Sequence, residues 1–207
     1  MNQRFDFENP PSGRWGLYGG TFDPIHRGHL YAAHRVMESL SLDGVIFMPS
    51  GDPPHKLGQV NTPAVQRMEM VRLAIENEPD FYYTDYELVR PGPHYSYLTC
   101  ETLAGQLTEG SQIYFIIGGD SLVKLHTWKN PRRVIAAMPL AVVYRPGFSM
   151  EELESARQLL DPERITLIAC EGVNASSTDI RSGDFSQVPE IVADYICQRR
   201  LYGYEPR

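Results

Sequence analysis

Cysteine is scarce in this chain, which has three in 207 residues: Cys100, Cys170 and Cys197. They are odd in number, lie far apart and include no Cys-x-x-Cys pair. Neither a disulfide framework nor a structural zinc site is therefore indicated. Because unpaired cysteines are usual in a reducing compartment, we predict a cytoplasmic protein.

An excess of positive charge is also missing, and so is a long apolar run. The net charge is −7, which disfavours a large nucleic-acid surface but leaves room for a local pocket that binds a small anion. Residues 1–12 are polar and contain prolines, so they look neither like a secretory signal nor like a membrane anchor. We expect a loose leader over 1–12, a single domain over 13–207, and no nucleic-acid or membrane partner. The sequence leaves the oligomeric state open.

Short apolar runs alternate with longer segments of helical spacing along the whole chain. The runs predict strands at 14–18, 45–48, 81–83, 113–117, 140–144 and 165–168, and the longer segments predict helices at 29–40, 65–77, 98–107, 121–137, 150–160 and 188–201. This alternation predicts an α/β fold, a Rossmann-like doubly wound parallel sheet with helices on both faces, which binds ligands at the carboxyl ends of its strands. The segment 49–62, with its prolines and glycines, is expected to be a mobile loop over that site.

The most informative stretch is Gly-Leu-Tyr-Gly-Gly-Thr-Phe-Asp-Pro-Ile-His-Arg-Gly-His-Leu, where the first strand meets the first helix. Gly19 and Gly20 remove side chains where we expect a tight turn, so that main-chain N–H groups and the positive end of the helix can approach a phosphate. His26 and His29 are three residues apart and can point to one side, and Gly28 leaves room for a ligand between them. Each feature alone is common in turns and on surfaces, but the combination indicates a phosphate site.

Two other phosphate motifs, Gly-x-Gly-x-x-Gly and the Gly-Lys-Ser/Thr of a P-loop, are not found in this stretch, which disfavours a hydride-transfer enzyme and a P-loop kinase. The run instead resembles the (His/Thr)-x-Gly-His signature of the nucleotidyltransferase superfamily, in the form typical of bacterial nicotinate mononucleotide adenylyltransferases. The resemblance implies that His26 and His29 contact the ATP phosphates as catalytic residues. It also implies that Thr21 and Phe22 line the path between two substrates.

Two further segments are similar to motifs of that family. Asn-Ala-Ser-Ser-Thr-Asp-Ile-Arg, ending at Arg181, looks like a capped helix start with Ser177 or Thr178 as the cap. The resemblance assigns its hydroxyls and Arg181 to the β- and γ-phosphates of ATP, with Arg181 as a catalytic clamp. Phe-Ile-Ile-Gly-Gly-Asp-Ser-Leu resembles a family segment that places Gly118 and Asp120 at the adenosine ribose. Asp120 can equally cap the next helix.

The residues predicted to bind the acceptor are identified by partial matches to motifs of the same family. Trp128 lies in a Leu-x-x-Trp motif of the family, where its flat face can stack on a pyridine ring, although a tryptophan here can also belong to the core. Lys56 ends a Pro-Pro-His-Lys loop whose lysine reaches phosphates in the family. Thr99 matches a family threonine, but the Ser-Tyr pair before it lies one residue early. Lys129 stands where many relatives have an aromatic residue, and we expect it to favour the acid form of the acceptor.

The resemblance implies transfer of AMP from MgATP to nicotinate mononucleotide, which yields nicotinate adenine dinucleotide and pyrophosphate for NAD biosynthesis. No cluster of carboxylates suggests a metal cage, so we expect no protein metal site and Mg²⁺ carried on the ATP. A first alternative is an adenylyltransferase that uses nicotinamide mononucleotide or phosphopantetheine. A non-catalytic nucleotide-binding module and an NAD-dependent oxidoreductase are the other classes that we consider.

Overall fold

The computed structural model describes residues 3–51, 62–145, 147–171 and 176–203, and its centre is a six-stranded sheet. Within these ranges no helix combines the length and the apolar character that a membrane crossing requires. The strands are Arg14–Gly20 (β1), Gly44–Pro49 (β2), Phe81–Tyr83 (β3), Gln112–Gly118 (β4), Leu140–Tyr144 (β5) and Ile165–Ala169 (β6).

All neighbouring strands pair in parallel, in the order β3-β2-β1-β4-β5-β6. The sheet therefore grows from β1 to one side as far as β3, and then from β4 to the other side. This reversal places a topological switch point between the carboxyl ends of β1 and β4, where sheets of this kind bind ligands. The predicted fold class, a doubly wound parallel sheet in a single domain, is confirmed.

Helices cover both faces of the sheet. They are Arg27–Leu40 (α1), Ala64–Ala74 (α2), Ser96–Ala104 (α3), Gly119–Lys124 (α4), Pro131–Ala137 (α5), Met150–Leu160 (α6), Ser177–Arg181 (α7) and Glu190–Arg199 (α8). Buried side chains of α1, α2, α7 and α8 share one apolar cluster, and those of α3, α4, α5 and α6 share the other. Because both faces are covered, β2 is buried along its whole length, as the uninterrupted apolar runs predict.

The single helix predicted over 121–137 is wrong. The structure has α4, then a short 3₁₀ turn at Leu125–Thr127, then an extended residue at Trp128 before α5 begins at Pro131. Asn130, before that proline, has a left-handed backbone with φ of 53°. Proline fits the first turn of a helix but removes a hydrogen bond and clashes in its interior, so the helix ends before Pro131 and a new one starts there.

The expectation of a loose N-terminal leader is also wrong for its described part. The Phe5 amide donates to the Tyr83 carbonyl at 2.8 Å, and the Tyr83 amide donates to the Gln3 carbonyl at 3.0 Å. Phe5 and Phe7 are buried, and the Phe5 ring packs edge-on against Trp15 with centroids 4.9 Å apart. The segment thus covers the free edge of β3, which removes an exposed template for pairing with other chains.

Candidate functional site

Two cavities open at the carboxyl ends of β1 and β4. The first cavity has a volume of about 540 Å³ and the second about 410 Å³. Both are lined by Gly19, Gly20, Thr21 and Asp120. The first cavity also contains every other residue predicted to contact ATP, namely Phe22, His26, Gly28, His29, Gly118, Ser177, Thr178 and Arg181. The residues predicted to contact ATP therefore lie together around the first cavity.

The glycine pair forms a wall of main chain between the cavities. Gly19 and Gly20 are still strand residues, paired with the end of β2, so the tight turn predicted at this pair does not lie there. A Cβ on Gly19 would come within 2.8 Å of the Phe115 ring, and one on Gly20 within 2.8 Å of the Phe22 ring. Glycine is required here because two aromatic rings occupy the space that side chains would fill.

The turn comes two residues later, at Phe22, whose φ of 49° is left-handed. Such a backbone is unusual for a bulky residue and is typical of functional sites. The Phe22 ring is 2% exposed and packs edge-on against His29, with centroids 5.0 Å apart. The structure therefore places Thr21 at both cavities, whereas Phe22 lies at the first cavity and packs against His29. Their predicted place on a path between two substrates stays a prediction.

The two motif histidines lie side by side at the start of α1. His26 is the N-cap residue and His29 the third helical residue, and their rings stack with centroids 3.7 Å apart. The His26 amide donates to Nδ1 of His29 at 3.2 Å. Because that nitrogen accepts, the neutral His29 ring carries its proton on Nε2. The first turn of α1 also directs the positive end of its helix dipole towards this place.

Both histidines are neutral near pH 7. Desolvation lowers the pKa of His26 to about 4, and the positive charge of Arg145 acts in the same direction. Desolvation also lowers the pKa of His29 well below its ordinary value, with His26 and Arg145 as smaller causes. Each neutral ring offers one N–H donor, so the pair can bind anionic oxygens without a fixed charge.

The second phosphate motif forms α7, with a different cap from the one predicted. Ser176 is the cap, because its hydroxyl accepts from the Thr178 amide at 3.2 Å. The prediction of Ser177 or Thr178 as the cap is therefore wrong. Ser177 is instead free to donate its hydroxyl to the Pro24 carbonyl at 3.0 Å, which joins α7 to the loop after β1.

Arg181 points from α7 into the first cavity. One of its terminal nitrogens donates to the Asp23 carbonyl at 2.7 Å, and the other donates to Oγ1 of Thr178 at 3.2 Å. Both contacts are made to neutral oxygens, so the positive charge of the guanidinium is not cancelled by them. The arrangement suits a clamp on phosphate oxygens.

Asp120 lies on the rim that the two cavities share. The N-cap of α4 is Gly118, with no side-chain cap bond, so the alternative of Asp120 as a helix cap is not observed. A Cβ on Gly118 would come within 2.6 Å of Oδ1 of Asp120, which explains the glycine. Asp120 is exposed, and its carboxylate is available to accept from ribose hydroxyls.

Trp128 and Lys129, the two residues predicted to meet the acceptor, both line the second cavity. The bend that replaces the predicted helix presents Trp128 there half-buried, so this ring faces the cavity and also packs on the core. The Lys129 ammonium lies 4.2 Å from the centroid of the Tyr95 ring, a cation–π contact that holds it at the cavity. Lys56 lies outside the described residues.

Thr99 does not reach the second cavity. It is 4% exposed, and its hydroxyl donates to Oε1 of Glu87 at 3.0 Å. The other carboxylate oxygen of Glu87 accepts from the Gly51 amide at 3.2 Å, and Glu87 itself lines the cavity. The structure thus corrects the predicted acceptor contact, because Thr99 positions a lining carboxylate.

Several lining residues had no predicted role, among them Arg145 at the first cavity and Glu87 and His94 at the second. Arg145 follows β5 directly, so its position at the carboxyl end of a parallel strand was a usable signal. Glu87 and His94 lie in the irregular segment between β3 and α3, where no periodic pattern marks them. Among the residues that the structure describes, no group of three or more His, Cys, Asp or Glu is arranged to hold a metal ion.

The chain matches known proteins over most of its length. A family model described as cytidylyltransferase-like matches residues 17–183. A Symbiobacterium thermophilum protein named "Probable nicotinate-nucleotide adenylyltransferase" is 41% identical over 201 residues, which cover 91% of this chain and 95% of that one. A Clostridium botulinum protein of the same name is 39% identical over 202 residues, covering 93% and 99% of the two chains.

A solved structure gives the same architecture. It is the Plasmodium falciparum nicotinic acid mononucleotide adenylyltransferase complexed with NaAD, with a TM-score of 0.74 and 18% identity over 93% of this chain and 98% of that one. At this identity the likeness supports the fold alone. The family match and the identities with the two bacterial relatives show that the chain belongs to the cytidylyltransferase-like family, among the nicotinate-nucleotide adenylyltransferases.

Proposed function

We propose that this chain transfers the AMP part of ATP to nicotinate mononucleotide, releasing pyrophosphate and forming nicotinate adenine dinucleotide. The observation that carries the proposal is the pair of cavities that meet at a wall of main chain. A reaction between two nucleotides needs two such volumes with the reacting phosphates at their junction. The names of the bacterial relatives support the choice of acceptor.

ATP occupies the first cavity in this proposal. His26 and His29 each offer one N–H donor to the phosphates, and Arg181 and Arg145, which line the same cavity, offer positive charge. Asp120 accepts from the ribose at the shared rim. The net charge of the chain is −7, so the polyanion is attracted by this local arrangement and not by the protein as a whole.

The reaction is an in-line displacement at the α-phosphorus of ATP. A phosphate oxygen of nicotinate mononucleotide forms the new P–O bond while the bond to pyrophosphate breaks, and the electron pair leaves with pyrophosphate. The attacking oxygen is already anionic at neutral pH, so the protein needs to position it and to stabilise the charge that develops. A covalent enzyme intermediate is not required.

Mg²⁺ enters this proposal as part of the substrate MgATP. Asp23 and Asp120 line the first cavity, but among the described residues no third His, Cys, Asp or Glu completes a metal site with them. Such a donor set fits an ion that keeps several waters and binds mainly through phosphate oxygens. When bound, the ion would neutralise charge on the phosphates.

The acceptor occupies the second cavity, with Trp128 stacked on the pyridine ring and Lys129 near its carboxylate. Lys56 is proposed to reach phosphates from the segment beyond Gly51. A cytoplasmic location is part of the same proposal.

The test is pyrophosphate release from MgATP, measured in parallel with nicotinate mononucleotide, nicotinamide mononucleotide and phosphopantetheine. We expect kcat/KM for the nicotinate form to exceed the others by about tenfold or more, a free-energy difference of about 1.4 kcal/mol. Equal use of the amide form would replace the proposed acceptor. ATP binding without release for any acceptor would instead support a non-catalytic nucleotide-binding module.

A further inference from the structure

Tyr202 connects the end of the described chain to the ATP half of the site. It lies in the short 3₁₀ turn Leu201–Gly203 after α8, with a left-handed φ of 56°. Its hydroxyl donates to Oδ1 of Asp23 at 2.6 Å and accepts from Oγ1 of Thr62 at 3.0 Å. An unusual backbone that carries two side-chain hydrogen bonds across more than 100 residues indicates a specific contact.

Asp23 links this tyrosine to the phosphate clamp. It is 3% exposed and lines the first cavity. Its carboxylate binds Tyr202 while its main-chain carbonyl accepts from Arg181 at 2.7 Å. A shift of Asp23 therefore moves the atom that sets the direction of the guanidinium.

A second buried contact holds the other end of the same loop, which covers 21–26. Arg67 is 2% exposed and donates to the Thr21 carbonyl at 2.6 Å and to the Thr62 carbonyl at 3.1 Å. Thr62 thus contacts both Arg67 and Tyr202. The loop backbone is contacted at Thr21 by Arg67 and at Asp23 by Arg181, so losing the Tyr202 hydroxyl releases the Asp23 side chain while these backbone contacts remain.

The direction of the hydrogen bonds is fixed. Burial and the bond to Asp23 raise the pKa of Tyr202, so its hydroxyl keeps its proton and donates it to the carboxylate. Without that hydroxyl the carboxylate of Asp23 remains in the cavity that is proposed to bind phosphates. Arg181 is a cation in the same cavity, and it already donates a hydrogen bond to the main-chain carbonyl of Asp23. A carboxylate released there competes with ATP for that cation.

We propose that Tyr202 is a positioning residue for ATP binding, which holds the Asp23 carboxylate away from Arg181 and so keeps the guanidinium available to the phosphates. This inference deepens the proposed function and rests on it for the identity of the ligand. It assigns no contact between Tyr202 and either substrate.

The experiment compares Tyr202→Phe with wild type by calorimetric titration with Mg²⁺ and α,β-methylene ATP, followed by steady-state kinetics. We expect about tenfold weaker binding of the analogue and an equal rise in the KM for ATP, with the KM for the acceptor unchanged. Tyr195→Phe is the matched control, since it removes a hydroxyl from the same C-terminal region at a residue that lines neither cavity.

Repeating the comparison in an Asp23→Asn protein distinguishes a positioning role of Tyr202 from a merely structural one. In Asp23→Asn, residue 23 has no charge with which to compete for Arg181, so adding Tyr202→Phe is expected to weaken analogue binding by less than about twofold. A Tyr202→Phe protein that melts earlier but binds the analogue as wild type does would overturn the inference. Equal effects of Tyr202→Phe in both backgrounds would overturn it too. Wild type that binds the analogue but uses no pyridine nucleotide would instead contradict the proposed function alone.

Discussion

The two cavities are built from different kinds of structure. The first is lined by the ends of regular elements: the last residues of β1 and β4 and the first turns of α1, α4 and α7. The second takes much of its wall from the irregular segment between β3 and α3 and from the bend at Trp128. Strand ends and helix starts are fixed by backbone hydrogen bonds, whereas the irregular walls depend on side-chain contacts such as Thr99 to Glu87.

This difference separates a general function from a selective one. Phosphates are bound by helix starts, small residues and a few donors, all of which a short motif can encode. The choice of acceptor depends on side chains that come from distant places in the sequence, such as Tyr95 and Lys129. We therefore expect substitutions in the first cavity to affect rate and ATP, and those in the second cavity to affect the acceptor.

The largest expected effect is on the rate in His26→Ala. This change removes a donor from the phosphates, and we expect kcat to fall about a hundred- to a thousandfold, as when one charge-stabilising donor is lost elsewhere. His34→Ala is the control, because His34 is on the same helix but pairs with Glu78 at 3.2 Å and lines neither cavity. A His26→Ala rate within tenfold of wild type would remove His26 from the mechanism.

Next in size is the acid sensitivity of the ligand-free protein. The pKa of His26 is lowered from 6.5 to about 4, so the unfolded chain binds a proton that the folded protein does not. Stability is then greatest above pH 6.5 and falls as the pH drops towards 4, by about 2 kcal/mol at pH 5 from this histidine alone. Urea unfolding at pH 7.5, 6 and 5 measures the free energy of unfolding, and His26→Gln should reduce the dependence of that free energy on pH. An equal pH dependence in both proteins speaks against the lowered pKa of His26.

A smaller effect is expected from Trp128→Ala in the second cavity. Loss of the stacking face should raise the KM for nicotinate mononucleotide about tenfold, near the low end of what an aromatic ring contributes to binding a base. Affinity for α,β-methylene ATP should stay as in wild type, and Trp128→Phe should recover most of the loss. If Trp128→Ala lowers only the melting temperature, the residue belongs to the core and not to the acceptor site.

The smallest effect concerns Lys129→Gln. The ammonium is exposed, so its attraction for the acceptor carboxylate is partly screened, and we expect the preference for the acid over the amide to fall about threefold. Arg132→Gln is matched to it, because it removes a nearby exposed positive charge that lines neither cavity. Competition assays with both mononucleotides measure the ratio, and equal ratios in the two variants would leave Lys129 without a role in selectivity.

The sheet was predictable because each strand is a short apolar run, and a parallel sheet buried on both faces needs such runs. The errors came where contacts between distant residues decide the structure. Phe5 and Phe7 look unremarkable in a polar leader, but they pack near Trp15, whose ring no local pattern connects to them. The error over 121–137 is of another kind: the apolar spacing suits one helix, but a local signal, Pro131, starts a new helix there.

The residues of the site also divide into those that local spacing predicts and those that depend on distant partners. The residues His26 and His29 were predictable because their spacing alone brings them to one side of a helix start. Thr99 was misplaced because its partner, Glu87, lies 12 residues earlier in a segment without periodicity. Tyr202 was not predicted at all, since its bond to Asp23 joins residues 179 positions apart. Local spacing specifies the phosphate donors, and only tertiary structure reveals what supports them.

The wall shared by the two cavities, made of Gly19, Gly20 and Thr21, has a consequence for the product. In the proposed function the dinucleotide product spans that wall, which both cavities share. We expect its two linked halves to dissociate together, more slowly than either substrate. We expect it to inhibit competitively against ATP and against the mononucleotide, and initial rates with added product test this; inhibition against only one substrate would contradict it. The steady output of such an enzyme is then limited by the reaction that consumes its dinucleotide.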